Sequence, residues 1–552
     1  MRTKSALSPQ KDACLPLKNL VFYGDNLAIL QEKIPPESVD LVYLDPPFNS
    51  KQDYNVIFKE RKGGRSTSQE LVFKDTWKWN LKAQQTCEKL IEDGGRLSEV
   101  IRAFRTFLGD NDMMAYLAMM APRLRELHKV LKPTGSLYLH CDPTASHYLK
   151  LLLDAIFLPQ NFRNEIIWQR TRVAKRQSKA FGKTHDVILL YVKSDAAKFN
   201  PQFLPHPESY KKSHYNCIEE KTGKRYGLWD FTQKGEGPPR RFGDRGEIAP
   251  PLGKHWIWSQ KRIDQGMAEG KIVFTRTGTP RLKRYLDTSK GEYLQDIWTD
   301  VFDVNAVATE RTGYSTQKPI ALLKRIIEAS SDEGDWILDP FCGCGTAIEV
   351  AEALKRRWIG IDITHLAVAI IKQRLAKFGF QVFRNIKIVG EPVNEAEAEA
   401  LAKDDKFGFQ CWAVGRLGAP PIEHRKGADR GIDGRIYFHD DIGPAKEIVI
   451  SVKAGEHVGP AFVRELRGVM ERERAAMGIF VCLKEPTLEM QREADNAGTY
   501  RSFTANFPKL QIITIKDIFA NKQLNIPGRL NPYEPKRPAS VGLTGKQLRL
   551  LP

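Results

Sequence analysis

From Asn19 to about Lys193, and again from about Gln317 to Lys377, short apolar runs alternate with stretches of helical periodicity. That alternation predicts a parallel sheet covered by helices. The run Val39–Leu44 predicts one buried strand and ends at Asp45-Pro46-Pro47-Phe48. The run Trp336–Asp339 predicts another, followed by the turn Pro340–Thr346 and then by Ala347, Val350, Ala351 and Leu354 at helical spacing. A further strand, Trp358–Ile361, ends in Asp362. Between the two patterned regions, from roughly Ser194 to Tyr314, the chain turns irregular, with Pro pairs at 238 and 250 and many Gly, Trp and basic residues. That is too long for a structureless loop and predicts an inserted subdomain. After the Ala/Glu-rich stretch Glu395–Ala402 a new strand-and-helix pattern runs to about Ala520, and the Pro-, Asn- and Lys-rich tail from Asn521 predicts extended chain. The expected segments are 1–193, 194–314, 315–393, 394–520 and 521–552, with no internal repeat.

Composition narrows the class. The 552 residues are 41% hydrophobic and 28% charged, ordinary for a globular protein. No run of eighteen or more apolar residues predicts a membrane span, and the N-terminus lacks the apolar core of a secretion signal. The eight cysteines form no CxxC pair, so reduced thiols and a cytoplasmic location are expected. Charge adds a partner. Lys and Arg total 85 against 67 acids, a net +18, which favours a polyanion through counterion release. The basic residues cluster: RTRVAKRQSKAFGK, Arg170 to Lys183, holds six of them and no acid.

The turn after Asp339 carries the first candidate chemistry. Strand, glycine turn, helix, strand and terminal acid make half of a nucleotide-binding α/β fold. The glycines let the backbone approach a ligand, and an acid about 20 residues on can accept from both ribose hydroxyls. The full GxGxxG fingerprint is absent, which argues against a dinucleotide and its pyrophosphate and for a nucleoside without phosphates. Cys342 and Cys344, a CxC without neighbouring Cys or His, read as local packing and not as metal ligands.

The turn after Leu44 carries the second. Two consecutive prolines remove two backbone donors and fix φ, so the turn is rigid and presents free carbonyls beside the Asp45 carboxylate. Phe48 adds a face on which a planar ring can stack. This group suits an exocyclic amine whose lone pair is delocalised into its ring. If Asp45 and the Pro46 carbonyl accept its two hydrogens, the nitrogen can pyramidalise and become a nucleophile.

With LDPPFN at Leu44–Asn49 and DPFCGCGT at Asp339–Thr346, the chain resembles the amino-group DNA methyltransferases. Because the first motif precedes the second, the order resembles their circularly permuted beta group. Other blocks agree: GDNL at Gly24–Leu27, SLYLHCDPTASHYL at Ser136–Leu149, NEIIW at Asn164–Trp168, HDVILLY at His185–Tyr191 and TQKPIALLKRII at Thr316–Ile327. The resemblance covers most of residues 19–380 and implies a Rossmann-like, S-adenosylmethionine-dependent methyltransferase sheet acting on double-stranded DNA. It implies that Asp45, Pro46, Pro47 and Phe48 are catalytic, and that the target base leaves the duplex stack. It also implies that Asp25, Lys318, Asp339, Phe341, Gly343, Gly345 and Asp362 line the cofactor pocket. For Asp25 and Lys318, a helix cap and a surface lysine are competing readings. In this family an aspartate before PPF usually accompanies adenine, and a serine there usually accompanies N4 methylation of cytosine, so adenine is expected. The inserted region stands where the group carries its target-recognition segment. Its stretches GKHWIWSQKR and KIVFTRTGTPRLKRYL interleave aromatic and basic residues suited to stacking and phosphate contact.

The C-terminal pattern carries a second resemblance. Lys426–Gly434 precedes Glu447–Lys453, a helix at Ala461–Ala475 and a strand at Gly478–Leu483, which together resemble the Mrr-like branch of the restriction-endonuclease fold. There an acid and a lysine flank a divalent cation, such as Mg²⁺, beside the scissile phosphate. Asp433 and Lys453 match, but Ser451 stands where a Glu or Gln belongs, and a hydroxyl is a poor ligand for a hard cation. An active nuclease, a degenerate DNA-binding fold and a coincidental α/β module stay open. The functions expected are an adenine methyltransferase of a restriction-modification or DNA-defence system, an N4-cytosine enzyme, or a bifunctional methyltransferase and endonuclease. Deletion from Glu395 onward is expected to spare the methyltransferase core, because both motifs lie upstream.

Overall fold

A computed structural model describes residues 15, 18–47, 79–173, 181–305, 308, 310–312, 316–379, 385–419, 431–438, 446–455, 458–502 and 505–527. Phe48 and Asn49, the centre of the basic Arg170–Lys183 stretch, and Lys426 to Arg430 lie outside the described residues.

The first half supplies β1 (Asn19–Tyr23), α1 (Asn26–Glu32), β2 (Val39–Leu44), α2 (Leu81–Glu92), α3 (Gly95–Leu108), α4 (Asp112–Val130), β3 (Leu131–Cys141), α5 (Ser146–Phe157), β4 (Phe162–Gln169) and β5 (His185–Val192). After the insertion come β6 (Ile297–Trp298), α6 (Ile320–Ser330), β7 (Trp336–Asp339), α7 (Thr346–Ala353), β8 (Arg357–Asp362), α8 (His365–Ala376) and β9 (Ile386–Val389). These nine strands form one sheet in the order β6-β4-β5-β3-β2-β7-β8-β1-β9. Every neighbouring pair is parallel except those made by β5, which runs antiparallel to both β3 and β4. The N-terminal strand β1 thus lies between β8 and β9, strands from more than 300 residues later.

The apolar runs form strands because both sheet faces are covered, and all six residues of β2 are buried. Its one acid, Asp40, is satisfied there: the same carboxylate oxygen accepts from Lys132 Nζ at 2.7 Å and from the Trp336 amide at 2.9 Å. That oxygen ties the edge of β2 to the first residue of β7, so burying the acid does not leave it unpaired.

Residues 201–295 form a separate compact unit, narrower than the 194–314 segment expected. It has its own four-stranded sheet, in the order Ile272–Phe274, Pro280–Tyr285, Arg225–Trp229, Cys217–Ile218. Its core gathers Phe231, Phe242, Trp256, Ile263, Ile272 and Leu282. Several aromatics of the two aromatic-basic stretches belong to this core. Trp256 is buried with its Nε1 donating to Ile248 O at 3.1 Å, and Trp258 and Phe274 pack against the same core. Gly227 is required sterically, since a Cβ there would stand 1.9 Å from the His214 carbonyl oxygen.

The C-terminal part runs α9 (Glu395–Asp404), α10 (Lys406–Arg416), β10 (Gly434–Phe438), β11 (Lys446–Lys453), α11 (Pro460–Glu473), β12 (Met477–Cys482), α12 (Leu488–Asp495), β13 (Leu510–Thr514) and α13 (Ile515–Phe519). The sheet order is β10-β11-β12-β13, antiparallel between the first pair and parallel thereafter. The C-terminal part is packed on the upstream core through α10, which lies on α8 with Cys411 buried in one cluster with Leu366 and Ile370. Truncation at Glu395 would uncover α8. Among the described residues no helix is long and apolar enough to cross a membrane.

Candidate active site

Strands β1, β2, β7 and β8 are mutually parallel, so their carboxyl ends reach the same edge of the sheet. That edge is where open α/β sheets bind ligands. Gly24 and Asp25 follow β1, Asp45 to Pro47 follow β2, Asp339 ends β7 and Asp362 ends β8. A cavity of roughly 640 Å³ opens there, lined by all of these residues and by Phe341, Gly343 and Lys318. Of the described residues singled out in the sequence, Gly345, Asp433 and Lys453 are not in its wall.

The turn after β7 owes its shape to hydrogen bonds from its own backbone. The Asp339 carboxylate accepts from Phe341 N at 3.1 Å, the Cys342 amide donates to Ile361 O at 3.1 Å, and the Gly343 amide donates to Asp362 Oδ2 at 2.9 Å. Gly343 and Gly345 have φ of 48° and 74°, the left-handed region that glycine tolerates. Gly345 stands one layer behind the cavity at the start of α7, where an added Cβ would lie 2.6 Å from the Ile371 side chain. Its lack of a side chain lets the turn close on α8, and it is not among the residues that line the cavity. Burial pushes the Asp339 carboxyl well up, against the opposing pull of the Phe341 amide. Burial also raises Asp362, partly offset by the bonds from Thr364 and Gly343. Cys342 and Cys344 are buried, and burial raises both thiols, so they act as packing groups.

Asp25 caps α1, accepting from Leu27 N at 2.8 Å, and also accepts from Arg123 Nη2 at 2.8 Å. Arg123 reaches on to Asn26 Oδ1 at 2.6 Å, and Asn26 donates to Pro340 O at 2.8 Å, which ties the turn after β1 to the turn after β7. Cap and cavity wall are therefore the same residue.

Lys318 is not a surface lysine. Its Nζ donates to Asp45 Oδ2 at 2.5 Å, with the two side chains only 14% and 16% exposed. Burial alone would lower the ammonium, but Asp45, Asp186 and Asp303 surround it and the net direction is up. Behind this pair runs a buried polar chain. Tyr43 Oη meets His140 Nδ1 at 3.1 Å, His140 Nε2 meets Asp186 Oδ2 at 3.3 Å, and Arg170 Nε lies 3.6 Å from Asp186 Oδ1. Burial pushes the Tyr43 hydroxyl well up and raises Asp303. Sequence reasoning assigned no role to Tyr43, Trp168, Asp186 or Asp303, and read Arg170 only as part of the basic stretch; all five line the cavity. Trp168 and Asp186 lie inside the NEIIW and HDVILLY blocks, which was the available signal. Arg123 had none.

In the C-terminal sheet the buried Asp433 accepts from Val452 N at 2.6 Å. Ser451 is buried, and Lys453 lies over the Phe462 ring at 5.1 Å and 3.9 Å from Glu465. Among the described residues no group of three or more His, Cys, Asp or Glu side chains gathers as a metal site. The described residues gather no ligand set for Mg²⁺ at Asp433, so the cation expected there has no support.

Residues 39–373 match the family model described as DNA methylase, of the N6/N4 type. Residues 410–511 match the model described as NACHT-associated inactive Restriction Endonuclease 1. The type II methyltransferase M.EcaI of Enterobacter cloacae is 28% identical over 377 residues, 66% of this chain and 71% of its own length. The DNA adenine methyltransferase YhdJ of Escherichia coli K12 is 27% identical over 357 residues, 64% of this chain and 82% of its own. Among solved structures, the PvuII DNA methyltransferase, described as cytosine-N4-specific, is 12% identical with a TM-score of 0.34, covering 67% of this chain and 95% of its own.

Proposed function

This chain belongs to the DNA methylase family, and from that premise we propose that it methylates the N6 amine of adenine in double-stranded DNA, as the modification arm of a restriction-modification or DNA-defence system. The observation that carries the reading is the adjacency of β2 and β7, which brings the Asp45-Pro46-Pro47 turn and the Asp339–Gly343 turn into one cavity. The order of those turns along the chain, with β1 laid beside β8, supports the permuted arrangement.

The cavity's donor set fits S-adenosylmethionine. Its wall carries Asp25, Asp339 and Asp362, complementary to a cationic ligand, and a tight glycine turn that lets a ligand approach the backbone. Asp362 would hold the ribose hydroxyls, since a carboxylate has lone pairs left after accepting from Gly343 and Thr364. When bound, the cofactor supplies an electrophilic methyl group. The remaining work falls to the chain. Asp45 and the Pro46 carbonyl accept the two amine hydrogens and direct the nitrogen lone pair, Lys318 fixes the Asp45 carboxylate, and Phe48 offers the stacking face. The proton released from the amine passes to Asp45 and on to water. Residues 201–295 serve as the target-recognition unit. The aspartate that opens the Asp-Pro-Pro-Phe motif favours adenine, as does the named activity of YhdJ. The same acceptor pair could serve the cytosine N4 amine, the second reading.

Incubation with labelled S-adenosylmethionine and genomic DNA, followed by digestion to nucleosides, is expected to place the label in N6-methyldeoxyadenosine. Label in N4-methyldeoxycytidine would overturn the base assignment, and unlabelled DNA the whole reading. Asp362→Ala is expected to weaken S-adenosylmethionine binding by on the order of 1.5–3 kcal/mol, the worth of a charge-assisted hydrogen bond. Calorimetry on a folded variant with wild-type affinity would show that Asp362 only ties Gly343 to the strand end.

A further inference from the structure

Helix α10 is shared by two cores. Phe409, Trp412 and Ala413 are buried against the strands of the C-terminal sheet, and Gln410 Nε2 donates to Val452 O at 3.4 Å. The opposite face presents Gly408, Cys411 and Gly415 to α8. A Cβ on Gly415 would stand 3.1 Å from Cβ of Ala369, and one on Gly408 would stand 3.1 Å from Cδ2 of His365. The two helices therefore meet at close range, tight enough at Gly415 that an added side chain would press on Ala369.

Helix α8 is also what the cofactor turn leans on. Ile371 occupies the space beside Gly345, 2.6 Å from where its Cβ would be. Cys344 lines the cavity and is buried in a single apolar cluster with Leu366, Ile370 and Cys411. Cys344 thus belongs at once to the cavity wall and to the seam with α10. At the start of α8, His365 stacks on Tyr23 at 3.8 Å, directly after the Asp362-Ile363-Thr364 corner. Burial lowers its imidazole to about 3, so it fills this seam as a neutral ring. Close-packed interiors transmit displacement because they hold no slack. A shift of α10 must move α8, and with it the turn that holds Gly343 and Gly345.

We propose that the nuclease-like C-terminal module acts as the rear wall of the cofactor turn, with α10 the positioning element that sets affinity for S-adenosylmethionine. The proposal rests on the reading of the cavity as that cofactor's site. Such a role needs close packing at α10 and no metal ligands, which agrees with a buried serine at 451. Linkage makes the coupling reciprocal: if α10 tightens the cofactor turn, the cofactor must stiffen α10.

Two experiments on the full-length chain test this. In wild-type protein, saturating S-adenosylmethionine is expected to slow amide hydrogen exchange in residues 408–416 as well as in the turn at 340–346. In Gly415→Leu, which wedges α10 away from Ala369, Kd for S-adenosylmethionine is expected to rise about tenfold, within the usual range of coupling between sites. The kcat at saturating cofactor and the Kd for DNA should stay within about twofold, because Asp45 and Lys318 are untouched. A merely structural defect would instead lower the active fraction and leave the cofactor Kd unchanged. Cofactor binding to wild type without protection in α10, together with wild-type affinity in Gly415→Leu, overturns the coupling alone. Failure of the wild-type chain to bind S-adenosylmethionine at all overturns the functional reading and the coupling with it.

Discussion

Asp45→Ala is expected to lower methyl transfer by about 10³–10⁴-fold while leaving affinity for S-adenosylmethionine within about twofold of wild type. The asymmetry follows from where the carboxylate sits. Asp45 ends β2 and pairs with Lys318, whereas the ribose-binding candidate Asp362 ends β8, with β7 between the two strands. On the proposed reading, Asp45 would therefore address the amine and not the methyl donor. Removing it takes away one of two acceptors that allow the nitrogen to pyramidalise, and it also releases Lys318 toward Asp186 and Asp303. Asp45→Asn separates the two effects. The amide oxygen keeps an acceptor at the same place but gives up the charge that holds Lys318, so its turnover should lie between wild type and Asp45→Ala. Single-turnover rates with labelled cofactor, beside calorimetric affinities, check both variants. Turnover of Asp45→Ala within tenfold of wild type would remove Asp45 from the chemistry.

The sheet strands were legible because each is an apolar run cut off by a residue that cannot continue it. Val39–Leu44 stops at a double proline, Trp336–Asp339 at a proline and glycine turn, and Arg357–Asp362 at an acid. The motif residues were legible for the same reason. What the sequence could not show is adjacency across long separations. Lys318 and Asp45 are 273 residues apart, and nothing local marks the lysine as the partner of that carboxylate. Nor does anything local mark Arg123 as the clamp between two turns. The role of α10 was missed for a different reason. Its sequence, KFGFQCWAVGR, is apolar around most of its circumference, which is the signature of a helix buried on two sides. In the inserted unit the aromatics interleaved with basic residues build a local core: Trp256, Trp258 and Phe274 pack with Phe231 and Phe242.

Lys318→Met tests the site's electrostatics as a whole, and it is expected to cost both stability and rate. Methionine keeps an apolar stem of similar length, so packing is largely preserved and the loss reports the charge. Breaking a buried ion pair by removing one partner usually costs about 3–5 kcal/mol, because the other charge is left uncompensated. Here the ammonium serves three carboxylates, Asp45, Asp186 and Asp303. Arg170 beside Asp186 and the residual exposure of Asp45 place the cost near the lower end of that range. The pH dependence gives the sign. Burial already raises Asp303 against the opposing pull of Lys318 and Arg170, so removing Lys318 raises it further. A group with a raised folded value contributes its stability below the unfolded value and loses it as pH rises through the folded one. The gap in Tm between wild type and Lys318→Met should therefore widen as pH rises above the ordinary carboxylate range. Turnover should fall about 10²-fold, as expected when a catalytic group loses its fixed geometry. Adding Asp45→Asn to Lys318→Met removes one of the stranded charges, so the double variant should be more stable than Lys318→Met alone, with a coupling term of about 1–3 kcal/mol. A Lys318→Met protein that melts and turns over like wild type at every pH would show that Asp45 is held by other groups, and that the pair is incidental to the site.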